Sequence, residues 1–236
     1  MHIENAPHGY RALYCNHCGA KIDVPIHCHS RTCVFCATSR SWRVQKRIQW
    51  CMSLVSPSNG CSWRHITLTV PNSPHLEKTL TNLVKAFRKL RLTTAWKNTQ
   101  ARGFYVLEVT KTGALWHPHL HVISYGFYLP WQQLLQLWHR ASGTGRHVRL
   151  RQIKHGEPIA RYVAKYVSKT PLLRPDDSKL LDEVTLHRRL FSHFGDLNLV
   201  LKNHPFPKFV RNCSRCGHHE WIPEFLLERA RRWAIP

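Results

Sequence analysis

Three histidines alternate in the stretch Trp116-His117-Pro118-His119-Leu120-His121-Val122. On a strand, successive side chains point to opposite faces, so His119 and His121 share one face and Leu120 and Val122 the other. Two imidazoles side by side can clamp one divalent ion. His117 has the same parity, but Pro118 is expected to bend the strand there. A cluster of surface histidines is the alternative reading. Mg²⁺ and Mn²⁺ favour oxygen donors. Glu108, an acid inside the apolar run Phe104-Tyr105-Val106-Leu107-Glu108-Val109, supplies one if the two strands pair across the turn at Gly113. An outward-facing acid paired with Lys or Arg is its competing role.

A second constellation is Tyr162-Val163-Ala164-Lys165-Tyr166-Val167-Ser168-Lys169. Tyrosines four apart share one helix face, with Cβ atoms about 5–6 Å apart. Lys165 and Lys169 each follow a tyrosine by three, and Ile159, Val163 and Val167 form a separate apolar stripe that can hold the helix to a sheet. An amphipathic helix with two packing tyrosines remains the plainer possibility. A tyrosine hydroxyl, with pKa about 10, is a weak nucleophile at neutral pH. A metal beside a phosphate would polarise it and stabilise charge on its oxygens, and nearby lysines would favour the phenolate or steady the phosphate. Attack would give a 5′-phosphotyrosine and a free 3′-hydroxyl. The ester keeps the energy of the cut bond, so rejoining needs no ATP.

Nine cysteines provide a third group. Cys15-x-x-Cys18 and Cys33-x-x-Cys36, 14 residues apart, are expected to bind one structural Zn²⁺ through four thiolates. His27, Cys28 and His29 lie between the pairs and could replace a ligand. Cys213-x-x-Cys216-Gly217-His218-His219 is a half site. It can complete a second zinc site with histidines such as His204 or His218, or hold free thiols. Cys51 and Cys61 read as structural.

Lys and Arg number 35 against 13 acids, for a formal charge of +22 and a pI near 10.2. Such self-repulsion is relieved by a polyanion, so nucleic acid is the expected partner; a solvated basic surface is the bland alternative. Trp, Tyr and Phe mixed with basic residues suit stacking on single strands, although most serve the core. No run of about 18 apolar residues points to a membrane span. The start, Met1-His2-Ile3-Glu4-Asn5, lacks a basic, apolar signal segment. A cytoplasmic location is expected.

These groups need elements to position them. Ile66, Leu68 and Val70 alternate in a strand ended by Pro71, while Phe104–Thr110 and His119–Tyr125 read as further strands joined by a hairpin at Gly113. Residues 41–56 read as a basic helix. From Leu76 to Trp96, Leu76, Leu80, Leu83, Val84, Phe87 and Leu90 fall at helical spacing, opposite Lys78, Lys85, Arg88, Lys89 and Arg91. Pro130–Arg140 reads as a helix, Val148–Ile153 as a strand, and Gly156-Glu157-Pro158 opens the tyrosine helix, which runs to about Lys169. An α+β fold follows, an antiparallel sheet with packed helices. The expected division is residues 1–56 (zinc ribbon and basic helix), 60–172 (the chemistry-bearing domain) and 173–236 (a C-terminal extension with a Cys-x-x-Cys half site). The 236 residues allow one sizeable core and a small module, but not a helicase as well. No Gly-rich phosphate loop ending in Gly-Lys-Ser/Thr is present.

The motifs together resemble the HUH endonucleases, rolling-circle replication initiators. His-Pro-His-Leu-His-Val is similar to their second motif, and His65-Ile66-Thr67-Leu68-Thr69-Val70-Pro71 to their first. Tyr-Val-Ala-Lys-Tyr-Val-Ser-Lys resembles their third motif in the two-tyrosine form of phage gene A initiators. The resemblance implies the HUH nuclease fold over residues 60–172, Mg²⁺ or Mn²⁺ at His119 and His121, and Glu108 as the matching third ligand. Many plasmid relatives have Glu where Tyr162 stands, which ranks Tyr166 at least equal to Tyr162 as nucleophile. It implies single-stranded or hairpin origin DNA as substrate, a host helicase and replication machinery as partners, and a plasmid- or phage-encoded protein associated with the nucleoid. A two-tyrosine rolling-circle transposase would use the same chemistry. A non-catalytic zinc-ribbon regulator would leave the paired histidines and tyrosines unexplained, and a hydrolytic nuclease would not need the tyrosines.

Overall fold

A computed structural model describes residues 8–28, 30–145, 147–154, 157–168, 173–207 and 211–224. In chain order its elements begin with β1 (Tyr10–Cys15), β2 (Lys21–Pro25), α1 (Val34–Ser53) and β3 (Ser62–Thr69). Next come α2 (Leu76–Leu92), α3 (Thr94–Thr99), β4 (Gln100–Thr112), β5 (Leu115–Gly126) and α4 (Trp131–Ser142). The chain continues with β6 (His147–Gln152), α5 (Ile159–Ser168), α6 (Pro175–Thr185), β7 (Phe191–Gly195), α7 (Leu197–Asn203) and β8 (Trp221–Pro223). The α+β class with antiparallel sheets is as the sequence led us to expect. Among the described residues no helix is long and apolar enough to cross a membrane.

The chain divides into two units, one made of residues 1–29 with 207–236, the other of residues 30–206. The boundaries differ from the expected 1–56, 60–172 and 173–236. The cause is pairing over long sequence separations. β8 pairs with β1 in a small sheet ordered β2-β1-β8, so the C-terminal segment closes on the N-terminal one. Strand β7, placed by sequence in an extension, adds to β4 as the fifth strand of the large sheet. Helix α1 packs with the tyrosine helix α5 in that same unit.

The large sheet has the order β6-β3-β5-β4-β7. Period two in its strands feeds two cores. Leu120 and Val122 of β5 join Ile66, Leu68, Leu80, Phe87 and Trp138 on one face. Ile123 and Tyr125 join Val44, Ile48, Ile159 and Val163 on the other. Helices α2 and α4 cover the first face, α1 and α5 the second. The expected single helix Leu76–Trp96 is two, because Thr93 takes extended backbone and its hydroxyl accepts the Trp96 N–H, starting a new helix. Leu76, Leu80, Leu83, Phe87 and Leu90 of α2 are buried as spaced, and Val84 is half-buried. Of the opposite basic residues, Arg91 leaves the open face: its guanidinium lies 5.1 Å over the Phe87 ring and 5.3 Å over that of Phe194.

Candidate active site and zinc cluster

Strand β5 continues through Pro118 without a break in its pairing to β4. Pairing with β3 stops at His119, so Pro118 has a ladder partner, Val109, on the β4 side only. A missing N–H is tolerated there. His119 and His121 therefore do share a face, and they look into a cavity of about 830 Å³ lined also by Glu108, Thr67, Thr69, Tyr162 and Tyr166. His117 is not among its lining residues.

The β4–β5 hairpin turns at Gly113, whose φ of 58° suits glycine. Its register sets Glu108 opposite His119. The carboxylate leans to the next inward histidine: Glu108 Oε2 lies 2.9 Å from His121 Nε2, and both groups are buried. His119 turns the other way, with Nδ1 3.2 Å from the Thr69 hydroxyl. The ligand atoms of His119, His121 and Glu108 thus line one cavity without closing into a tight cluster. A carboxylate oxygen and two imidazoles lining one cavity are a donor set that suits a divalent cation.

Two residues to which the sequence reading gave no role join them. His65 Nε2 is 3.3 Å from His121 Nδ1, and the Thr67 hydroxyl is 3.4 Å from the same atom. Burial first, and then the charge of His121, push His65 down to about 3, so it stays neutral at physiological pH. Their signal was available: His65, Thr67 and Thr69 alternate along β3 with the parity that meets His121 and His119.

Helix α5 carries both tyrosines to this cavity. Val163 and Ala164 are buried in the second core, leaving Tyr162 and Tyr166 on the cavity side. The Tyr166 ring stacks on His121 at 3.6 Å, and its hydroxyl donates to the Tyr162 hydroxyl at 2.6 Å. Burial, and then this hydrogen bond, raise Tyr166 above the ordinary tyrosine range. Tyr162 is 37% exposed. Lys165 Nζ sits 4.0 Å over the Tyr162 ring and 5.3 Å over that of Tyr166. Arg151, from β6, lies 5.6 Å over Tyr162 and is held by both oxygens of Glu157, at 3.0 and 2.6 Å. No spacing in the sequence singled out Arg151. Lys169 and His29 lie outside the described residues.

The cysteines group differently from the expected set Cys15, Cys18, Cys33 and Cys36. Cys15 and Cys18 meet Cys213 and Cys216, with Sγ–Sγ distances of 3.5 Å for Cys15–Cys216 and for Cys18–Cys213. Tetrahedral zinc with Zn–S of about 2.3 Å spaces its sulfurs by about 3.8 Å, so the four fit that ion. Each Cys-x-x-Cys-Gly turn is built alike. Gly19 N–H donates to the Cys15 carbonyl at 2.9 Å and Gly217 N–H to that of Cys213 at 2.8 Å, both glycines at positive φ. The Arg215 N–H is the main cause that lowers Cys213 to about 7. The His218 N–H pulls Cys216 down, but burial and the neighbouring thiols outweigh it and push that thiol up to about 12. A zinc ion held here would offset the repulsion among four thiolates. His218 approaches as well, in a grouping with His17 and Cys216. Cys33 and Cys36 belong to the other unit, where they start α1: Cys33 is the N-cap and its sulfur accepts the Cys36 N–H.

A family model described as replication protein matches residues 19–198, about three quarters of the chain. Comparison with curated proteins and with solved structures returned no match.

Proposed function

Because the chain belongs to this replication-protein family of rolling-circle initiators, which nick origin DNA, we propose that it cuts and rejoins one DNA strand through tyrosine, with Tyr162 attacking first. The observation that carries the reading is the Tyr166-to-Tyr162 hydrogen bond set over the Glu108–His121 pair in one cavity. Glu108, His119 and His121 would hold Mg²⁺ or Mn²⁺, which when bound polarises a phosphate and stabilises charge on its oxygens.

The chain's own residues do the rest. A single strand enters the cavity with its scissile phosphate near Tyr162. The Tyr162 oxygen gives up its proton and bonds to phosphorus; the P–O3′ bond breaks and the 3′-oxygen takes up a proton. Lys165 and Arg151 sit beside the Tyr162 ring, where their charge favours an anionic phenolate and steadies the phosphate. Glu157 fixes the Arg151 fork. Tyr166, less exposed and held protonated, donates to the attacking oxygen and then serves as the second nucleophile once Tyr162 is occupied. Reversal by a 3′-hydroxyl rejoins the strand. The substrate is origin DNA, single-stranded or extruded as a hairpin. The Cys15, Cys18, Cys213 and Cys216 zinc is structural.

A labelled single-stranded oligonucleotide from the cognate origin, incubated with protein and Mn²⁺, tests the reading. We expect a DNA-linked protein band on a denaturing gel that requires the metal and is lost in Tyr162→Phe/Tyr166→Phe. Cleavage by that double variant would replace this mechanism with hydrolysis.

A further inference from the structure

A second concavity of about 640 Å³, sharing no lining residue with the tyrosine cavity, lies against the β7 edge of the large sheet. Its wall carries Arg31, Arg40, Arg47, Arg188 and Arg189 and, among the described residues, no Asp or Glu. Arg40 and Arg47 are seven apart on α1, two turns along one face. Two of the arginines are held rather than loose: Arg40 donates to the Ser30 carbonyl at 2.7 Å, and Arg31 Nη2 reaches the carbonyls of Thr185 and Arg188 at 3.4 and 3.5 Å. Burial, and then the charge of Arg40, lower the Arg31 guanidinium below its ordinary value. Asp182 offsets part of the charge at Arg31 and Arg188 lies 3.9 Å from Glu77, but five arginines around one groove still repel, and a chain of phosphates relieves that repulsion.

The same wall offers aromatic faces. Trp50 and Phe206 line it, and the Arg47 guanidinium lies 5.7 Å over the Phe206 ring. Trp50 donates its indole N–H to the His204 carbonyl at 3.3 Å, which orients a partly exposed ring. Arginines beside open rings match unpaired nucleotides, whose phosphates and base faces both need partners; a duplex hides its base faces.

We propose that this groove is a second single-stranded DNA site, which holds part of the strand away from the scissile phosphate. Arg31, Arg40, Arg47, Arg188 and Arg189 bind the backbone, and Trp50 and Phe206 stack on bases. The choice of DNA as the polyanion rests on the proposed nicking function; the charge and the rings do not.

The test measures binding of fluorescein-labelled dT12 by anisotropy at several salt concentrations. It uses the full chain carrying Tyr162→Phe/Tyr166→Phe, so that no covalent product forms. Arg40→Gln/Arg47→Gln/Arg189→Gln should weaken binding at least about tenfold at low salt and reduce the slope of log K against log[salt] by about 2, since each single-strand phosphate contact contributes about 0.7. Trp50→Leu should weaken binding about tenfold with the slope kept, as loss of one stacked base does. Unchanged affinity and slope in a folded triple variant overturn the proposal, as does a loss seen with a duplex and not with dT12. Should the Gln variant unfold, the corresponding Lys variant, which keeps the charge, must keep the slope; losing it overturns the proposal too. A groove that fails while the wild-type chain still forms its DNA adduct leaves the nicking function standing; a groove that binds while no adduct ever forms does the reverse.

Discussion

The hydrogen bond from Tyr166 to Tyr162 makes two tyrosines of equal sequence context unequal in chemistry. A group whose pKa is raised is ionised only at higher pH, so cleavage that relies on Tyr166 should rise further into the alkaline range. We expect the Tyr162→Phe variant, in which Tyr166 keeps its burial, to cut slowly and to go on gaining single-turnover rate at higher pH than the wild-type protein. Superimposable profiles would remove the distinction. Glu108→Gln keeps the shape but not the charge, and should raise the Mn²⁺ concentration for half-maximal cleavage by about 10- to 100-fold, read from a metal titration. At this scale the sequence was informative wherever period two or period four carries the pattern. His119, His121 and Glu108 follow from strand parity and a hairpin, Tyr162 and Tyr166 from a helix face. Arg151 could not be found that way, because its place over Tyr162 depends on β6 pairing with β3 and on Glu157, both outside any local pattern.

Strands and helices fix the cavity by bringing backbone very close at a few points. Gly126, at the end of β5, is one: a Cβ there would land on the Thr99 carbonyl. Backbone cannot move aside cheaply, so Gly126→Ala should destabilise the fold by about 2 kcal/mol or more, seen as a lower urea midpoint. An unchanged midpoint would mean that α3 and β5 are not packed as described. The elements read correctly from sequence are the long, strongly patterned ones, such as β5 and α4. Those missed are short or ambiguous. Strands β1, β7 and β8 have three to six residues and gain their identity from partners far along the chain. Cys33-x-x-Cys36 carries the spacing of a zinc knuckle and also starts α1, and the sequence pattern does not say which second pair joins Cys15 and Cys18.

At the scale of the molecule, residues far apart in the chain build the small unit, where β1 pairs with β8. Cys18 and Cys213 are 195 residues apart, and no rule of local spacing could have matched them. Bound zinc would make folding of the small unit depend on the metal. Cys213→Ser/Cys216→Ser should therefore lose about one zinc per chain by atomic emission and open residues 8–28 and 211–224 to proteolysis, while residues 30–206 stay protected. Retained zinc would reassign the ligands. The formal charge of +22 places the same demand on the whole chain that the arginine groove places locally, so binding to any nucleic acid should weaken steeply with salt. The central claim, however, concerns one covalent bond. Trypsin cuts after Arg161, Lys165 and Lys169, so Tyr162 and Tyr166 fall in separate peptides, Tyr-Val-Ala-Lys and Tyr-Val-Ser-Lys. Wild-type protein would be reacted with the cognate strand and Mn²⁺, trimmed with nuclease, digested and weighed by mass spectrometry. The account predicts a nucleotide on the peptide containing Tyr162 after the first cut; the adduct on Tyr166 alone, or cut DNA with neither peptide modified, would contradict it.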